Sequence, residues 1–282
     1  MIMPLRTIAV LSVWFPLNVA LVSWYLPTRA DANNLLSTPE QIQEDILNLD
    51  CTKRDRLPAV QALFEKMGAH SSEISVERFK RVENVSVRKQ GKPDEIIIVG
   101  AHYDRVAAGC GAVDNWSGVI ALAHIYRTVS QMSTNKTILF VAFGKEEEGR
   151  VGSKAMAKSI EKVQRPQYCA MVNIDSLGMG RPQVIENISS KKLTTRAADL
   201  AAQINVSFSK QPIYGPDSDS SSFIEKGIPS ITIHGLAGEV FKLIHTSNDQ
   251  PKEVNSTNVY LAYRLILALV SNIDECRCDE FR

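Results

Sequence analysis

The sequence predicts an α/β protein: a three-layer α/β/α sandwich around a mixed central sheet, with the working site at the carboxyl ends of the strands. Three observations carry that expectation. Four runs, 95–102, 137–144, 168–175 and 230–235, are too continuously apolar for a sheet with one wet face, and such runs fit strands covered on both sides. Helical patterns at 117–132, 152–163, 191–204 and 255–273 alternate with them and can supply the cover. With 282 residues, 44% hydrophobic and 22% charged, the chain can bury a substantial core, and 33–282 reads as one globular domain.

The elements follow in chain order. Arg6 precedes an apolar run from Thr7 to Leu26, interrupted by Pro16 and Asn18, and Ala30-Asp31-Ala32 follows. Residues 1–32 therefore read as a secretory signal, with a membrane anchor over 7–26 as the alternative, since about twenty apolar residues just span a bilayer. Either reading puts the rest of the chain outside the cytosol, secreted or periplasmic in one case and tethered in the other. Ser37-Thr38-Pro39-Glu40 has the form of a capping box opening a helix to about Leu49. A second helix over 54–67 stops at Gly68. Ile74, Val76, Val85 and Val87 predict two strands, and Gly91 to Asp94 a turn into the first apolar run.

Charge and cysteine usage narrow the classes. The net charge of +1 comes from 32 basic and 31 acidic residues without long like-charge blocks, so no nucleic-acid footprint is present. Five cysteines leave at least one unpaired within a monomer. Cys276 and Cys278 could pair with Cys51 or bind a metal, and a structural or incidental role is the simpler expectation, because the repeated cysteine pairs of a structural zinc site are lacking. Of six Asn-x-Ser/Thr sequons, the one at Asn115 adjoins a candidate ligand, where a glycan would obstruct the site.

The chemistry rests on His102, Asp114, Glu147, Asp175 and His245, which occur in the order His, Asp, Glu, Asp, His. Two zinc ions sharing one carboxylate need about five nitrogen and oxygen ligands with room for a water. His102, Glu147 and Asp175 fall just after apolar strands, where the crevice of an open α/β sheet lies. Singly, each has an ordinary explanation: a hydrogen-bonded histidine, a turn aspartate, or for Asp114 a helix cap. Asp104, two residues past His102, is placed to accept from the second imidazole nitrogen. Glu146, Glu147 and Glu148 repel one another after an apolar strand; divalent cations would relieve that repulsion, and a solvated acidic turn is the alternative.

The stretches GAHYD, GAVDNWSG, FGKEEEGRVGS, NIDSLG and IHTSND, in this order, resemble metallopeptidase family twenty-eight, the two-zinc exopeptidases of the leucyl aminopeptidase and aminopeptidase S type. The resemblance covers roughly 94–273. It implies that Asp114 bridges two zinc ions, that His102 and Asp175 complete one site, and that Glu147 and His245 complete the other. It also implies that Glu146 is the general base, that Asp104 supports a ligand from behind, and that the Asp114–Asn115 peptide is cis. Tyr214 lies near a position where relatives place a tyrosine at the reaction centre. Where relatives carry Ser-Asp-His, this chain has Ser218-Asp219-Ser220, which points to a different substrate pocket.

The implied activity is removal of N-terminal residues from peptide substrates by a water activated between two zinc ions and deprotonated by Glu146. Two alternatives share the ligand pattern: a single-zinc glutaminyl-peptide cyclase, and a peptidase-like domain kept for binding. A Gly-x-Ser-x-Gly elbow and a His-Glu-x-x-His helix are both absent from the sequence. His234 ends an apolar run and is expected to be packing rather than a sixth ligand.

Overall fold

A computed structural model describes residues 35–213 and 217–282; the expected leader 1–32 and Tyr214 lie outside the described residues. Among the described residues no helix is long and apolar enough to cross a membrane. The first helix, α1 (Pro39–Leu47), does carry a capping box, but shifted by one residue. Thr38 is the cap: its hydroxyl accepts from the Gln41 amide at 3.3 Å, and the Gln41 side chain accepts from the Thr38 amide at 3.0 Å. Pro39 has no N–H to offer and so takes the first helical position. Ser37 is thereby left to pair with the buried His124 imidazole, 2.7 Å away. Helix α2 (Leu57–Lys66) follows, and Gly68 at φ +98° ends its last turn.

Strands β1 (Ile74–Phe79) and β2 (Val82–Lys89) form an antiparallel hairpin, and β3 (Lys92–His102) enters the centre of the sheet. The turn expected over Gly91 to Asp94 is instead the irregular start of β3, where the pairing shifts register between Lys92 and Ile96. Next come α3 (Ser117–Ser130), β4 (Lys136–Phe143), α4 (Val151–Ser159) and β5 (Tyr168–Asp175). The chain continues through β6 (Gln183–Ile185), α5 (Lys191–Gln203), β7 (Ser209–Gln211) and α6 (Asp219–Ile224). It closes with β8 (Ser230–His234) and α7 (Ser256–Glu275).

The eight strands run in the order β1-β2-β4-β3-β5-β8-β6-β7. The central pairs β4/β3, β3/β5 and β5/β8 are parallel, while β2/β4 and β6/β8 are antiparallel, so the sheet is mixed as expected. Alternation along each strand divides the interior into two cores. Ile97, Val99, Phe140, Val172 and Ile231 face a core built with α1, α2, α3 and α7. Ile98, Val141, Phe143 and Met171 face a smaller one with Met156 of α4 and Phe223 of α6. All of β4 is buried, which is why its sequence shows no polar alternation.

Two disulfides join segments distant in sequence. Cys51 bonds Cys110 and Cys169 bonds Cys278, leaving Cys276 free. The alternative pairing of the C-terminal cysteines with Cys51 does not occur, because Cys51 lies beside the loop that carries Cys110. At the other end of the sheet, the nearly buried Lys136 ammonium donates to the carbonyls of Asp274 and Cys276, each at 2.8 Å, and so closes the carboxyl end of α7. The Asp274 carboxylate accepts in return from the amides of Asn135 and Lys136. Lys136→Met keeps the aliphatic stem but leaves those carbonyls without their donor. Stability should fall by about 2 kcal/mol, read as a lower urea midpoint at unchanged slope.

Candidate metal centre

His102 is the last residue of β3, Asp175 is the last of β5, and Glu146 and Glu147 begin the turn after β4. Asp114 lies in the irregular segment leading into α3, and His245 in the loop after β8. All five expected ligands converge. Asp114 Oδ1 is 3.1 Å from His102 Nε2, while Asp114 Oδ2 is 2.9 Å from His245 Nε2. His102 Nε2 is also 3.6 Å from Asp175 Oδ1, and His245 Nε2 is 3.2 Å from Glu147 Oε2. Two triads result, His102-Asp114-Asp175 and Asp114-Glu147-His245, each with its ligand atoms within 4.8 Å of one another. One carboxylate is common to both.

Local backbone geometry explains how the chain reaches this arrangement. Lys145, Ser176 and His245 all have φ near +60°, a region that non-glycine residues enter at a cost and hold only where their surroundings fix them. His245 is itself an expected ligand, Ser176 follows Asp175, and Lys145 precedes the Glu146-Glu147 pair. The Asp114–Asn115 peptide is cis, as the resemblance implied. Asn115 is fully buried; its amide donates to the Ile174 carbonyl at 2.8 Å, and its oxygen accepts from the Ser176 and Gly118 amides. That burial removes Asn115 from reach as a glycan acceptor. A Cβ at Gly118 would collide with the same carboxamide.

Four supporting groups went unread in the sequence. The Asp249 carboxylate accepts from the amides of Ala112, Val113 and Asp114 at 2.8, 2.7 and 3.2 Å; its only signal was its place at the end of the IHTSND stretch. Arg56, 2% exposed, donates to the carbonyls of Cys110 and Gly111 and lies 5.5 Å from the Trp116 ring. Burial lowers its pKa to about 10. The Ser218 hydroxyl donates to Asp175 at 2.5 Å. Asp219 is fully buried, and both its oxygens lack hydrogen-bond partners among the described residues. By contrast Ser220, where relatives carry histidine, donates to the Ile188 carbonyl and accepts from Thr232. It does not line the cavity, so the expected change of substrate pocket is not made by this residue.

Asp104 lies beside the His102 imidazole, as its spacing suggested, without closing the hydrogen bond. It stands 3.7 Å from His102 Nδ1, beyond hydrogen-bonding distance, and that nitrogen has no partner among the described residues. Its carboxylate instead accepts from the amides of Glu146 and Glu147 at 2.8 and 3.1 Å.

The electrostatics follow from crowded, desolvated carboxylates. Burial, and then Asp219, Asp175 and Glu147, push Glu146 up to about 9. Burial and Asp114 raise Glu147 to about 7, and burial with Asp175 and Asp104 raises Asp219 to about 7. Burial also opposes the charge of Asp114, yet hydrogen bonds from His102 and His245 hold it well below the ordinary carboxylate range. Asp114 lifts His245 to about 9. None of these carboxylates forms an ion pair with a lysine or arginine among the described residues. Buried anions with imidazole nitrogens between them, plus an unpartnered Glu147 oxygen, are what a pair of divalent cations would satisfy.

A cavity of about 340 Å³ opens onto this cluster. Ile185, Ile213, Leu236, Val240, Phe241 and Ile244 give it an apolar wall opposite His102, Asp114, Glu146, Glu147, Asp175 and His245. Phe241 is 72% exposed at its rim.

The chain is 28% identical over 165 residues to aminopeptidase Y of Saccharomyces cerevisiae, covering 55% of this chain and 30% of that one. The solved structure titled a zinc aminopeptidase from Bacillus subtilis superposes with a TM-score of 0.63 at 24% identity, over 71% of this chain and 52% of the other. The LapA aminopeptidase of Legionella pneumophila does so at 0.74 and 20%, over 89% and 76%. The chain thus spans less than a third of the yeast relative's length and about half of the Bacillus structure. The family profile matches residues 84–270, from the second strand to the last helix, and the chain belongs to Peptidase family M28.

Proposed function

We propose that this protein is a zinc-dependent exopeptidase that removes the N-terminal residue of peptides. One observation carries the reading: a single carboxylate, Asp114, presents its two oxygens to two separate triads at the foot of a cavity with an apolar wall. The mixed nitrogen and oxygen donors suit zinc, and similar proteins titled aminopeptidases support the direction of cleavage.

His102, Asp114 and Asp175 would hold one ion, and Asp114, Glu147 and His245 the other. Such ions polarise a peptide carbonyl and lower the pKa of a water. Glu146 lines the same cavity without belonging to either triad, which leaves its carboxylate free to move protons. With bound cations beside it to favour its ionised form, it would accept a proton from the attacking water and return it to the departing amine nitrogen. Asp104 holds the Glu146 and Glu147 amides, so the base and its neighbouring ligand are fixed as one unit. Ser218 orients Asp175 from behind. Secretion or export through residues 1–32 is part of the same proposal.

Glu146→Gln should lower turnover by about 10²–10⁴-fold while zinc content by elemental analysis stays near that of the parent; full activity would remove Glu146 as the base. Asp114→Asn should reduce metal occupancy in both triads, whereas loss of one ion alone would argue against the shared carboxylate. Peptides with a free amino terminus should be cleaved and their N-acetylated counterparts spared. Equal cleavage of both would overturn the aminopeptidase direction.

A further inference from the structure

Residues 103–111 join two expected ligands, His102 and Asp114, in neither helix nor strand. Backbone without a ladder has to be held by other groups. The loop also meets the segment of a third ligand. The Cys110 amide donates to the Asp249 carbonyl at 2.8 Å, and a Cβ at Gly109 would strike the carbonyl of Thr246, next to His245. Its position therefore bears on Asp114 and on both imidazoles that face it.

A clasp on this loop comes from 51–56, the irregular link between α1 and α2. Cys51 bonds Cys110. The Arg105 guanidinium donates to the Cys51 carbonyl at 3.3 Å and to the Gly109 carbonyl at 2.7 Å, and the buried Arg56 donates to the carbonyls of Cys110 and Gly111. Cys51 and Arg56 both lie ahead of residue 84, where the match to the family begins. The clasp is thus supplied in part by a stretch of chain outside that match.

Resting on the two-ion reading, we infer that the Cys51–Cys110 disulfide is a positioning group for the metal centre. It fixes the loop that sets Asp114 against His102 and His245, so full metal affinity requires the bond. Among the links between the loop and 51–56 it is the covalent one, and it lies four residues before the shared carboxylate. Such bonds persist in oxidising compartments and are rare in the cytosol. The centre therefore reaches full affinity only after the export proposed for residues 1–32. The second disulfide, Cys169–Cys278, supplies the control. It spans 109 residues against 59 and so constrains the unfolded chain at least as strongly, but Cys169 stands at the opposite end of β5 from Asp175.

The test measures zinc affinity, by competition with a chromophoric chelator, on the parent, on Cys51→Ala/Cys110→Ala and on Cys169→Ala/Cys278→Ala, with a urea midpoint for each. Loss of the first pair should weaken zinc binding at least about tenfold, the scale of removing support behind a ligand. Loss of the second should lower the midpoint and leave zinc affinity near that of the parent. If Cys51→Ala/Cys110→Ala does not fold, the same bond is cut in the folded Cys169→Ala/Cys278→Ala protein, where it is the one disulfide left. Water then gives its oxygen to a trialkylphosphine and its two hydrogens to the sulfurs, and the same fall in affinity is expected. Unchanged affinity without the Cys51–Cys110 bond, or an equal loss without the other bond, would overturn the inference and leave the metal reading standing. A parent that takes up no zinc would overturn both.

Discussion

The structure depends on one carboxylate with two imidazoles. Asp114 is buried, and its charge survives there only because His102 Nε2 and His245 Nε2 approach its two oxygens from opposite sides. Remove either imidazole and a desolvated anion is left half-compensated, which costs several kcal/mol. The chain spends much of its local design on placing this group. Asp249 gathers three successive amides around it, Arg56 pins the carbonyls just before it, and Asn115 binds the end of β5 just after it. The Cys51–Cys110 disulfide fastens the start of the same loop.

Around that carboxylate the site gathers more acidic groups than its own side chains could neutralise as anions. Glu146, Glu147 and Asp219 are raised to about 9, 7 and 7 because each is desolvated beside other acids. A purely structural cluster would be expected to recruit lysine or arginine, as Arg150 is recruited by Asp217 at 2.6 Å nearby. Among the described residues the acids of the metal centre recruit none. Buried acids whose ionisation the protein itself does not support fit a cation-binding site better than a packed interior. The apolar wall strengthens every electrostatic interaction across the cavity by excluding water.

The parts legible in the sequence were those with a repeating physical signal. β3, β4, β5 and β8 were visible as apolar runs because both faces of each strand are covered, and α3, α4, α5 and α7 as the segments between them. β6, β7 and α6 span only three, three and six residues, too short for any period to show. All five expected ligand positions could be picked out because they end strands or sit in recognisable stretches, and the structure brings them together. The supports were less legible. Asp249 and Arg56 are ordinary polar residues until the fold brings distant backbone to them, over separations of 135 and 54 residues. Two residues from His102 placed Asp104 near the imidazole, where it is, but only tertiary contact with the turn after β4 revealed the amides it holds.

The straps also share a pattern that explains how loops hold such a site. Each joins the segment of one ligand to that of another. Asp104, beside His102, holds the turn of Glu146 and Glu147; Asn115, beside Asp114, holds Ser176 beside Asp175; Asp249, four residues past His245, holds the backbone of Asp114. Glu147 and His245 then meet side chain to side chain at 3.2 Å. The ligand segments are thus linked through side-chain-to-backbone bonds, independently of the sheet that delivers them. In such a linkage the damage from losing one strap appears at the next ligand in the network rather than at its own neighbour in sequence. A loop cluster wired this way can hold atoms in place without regular secondary structure, because each mobile segment is fixed by a residue rooted in a different one.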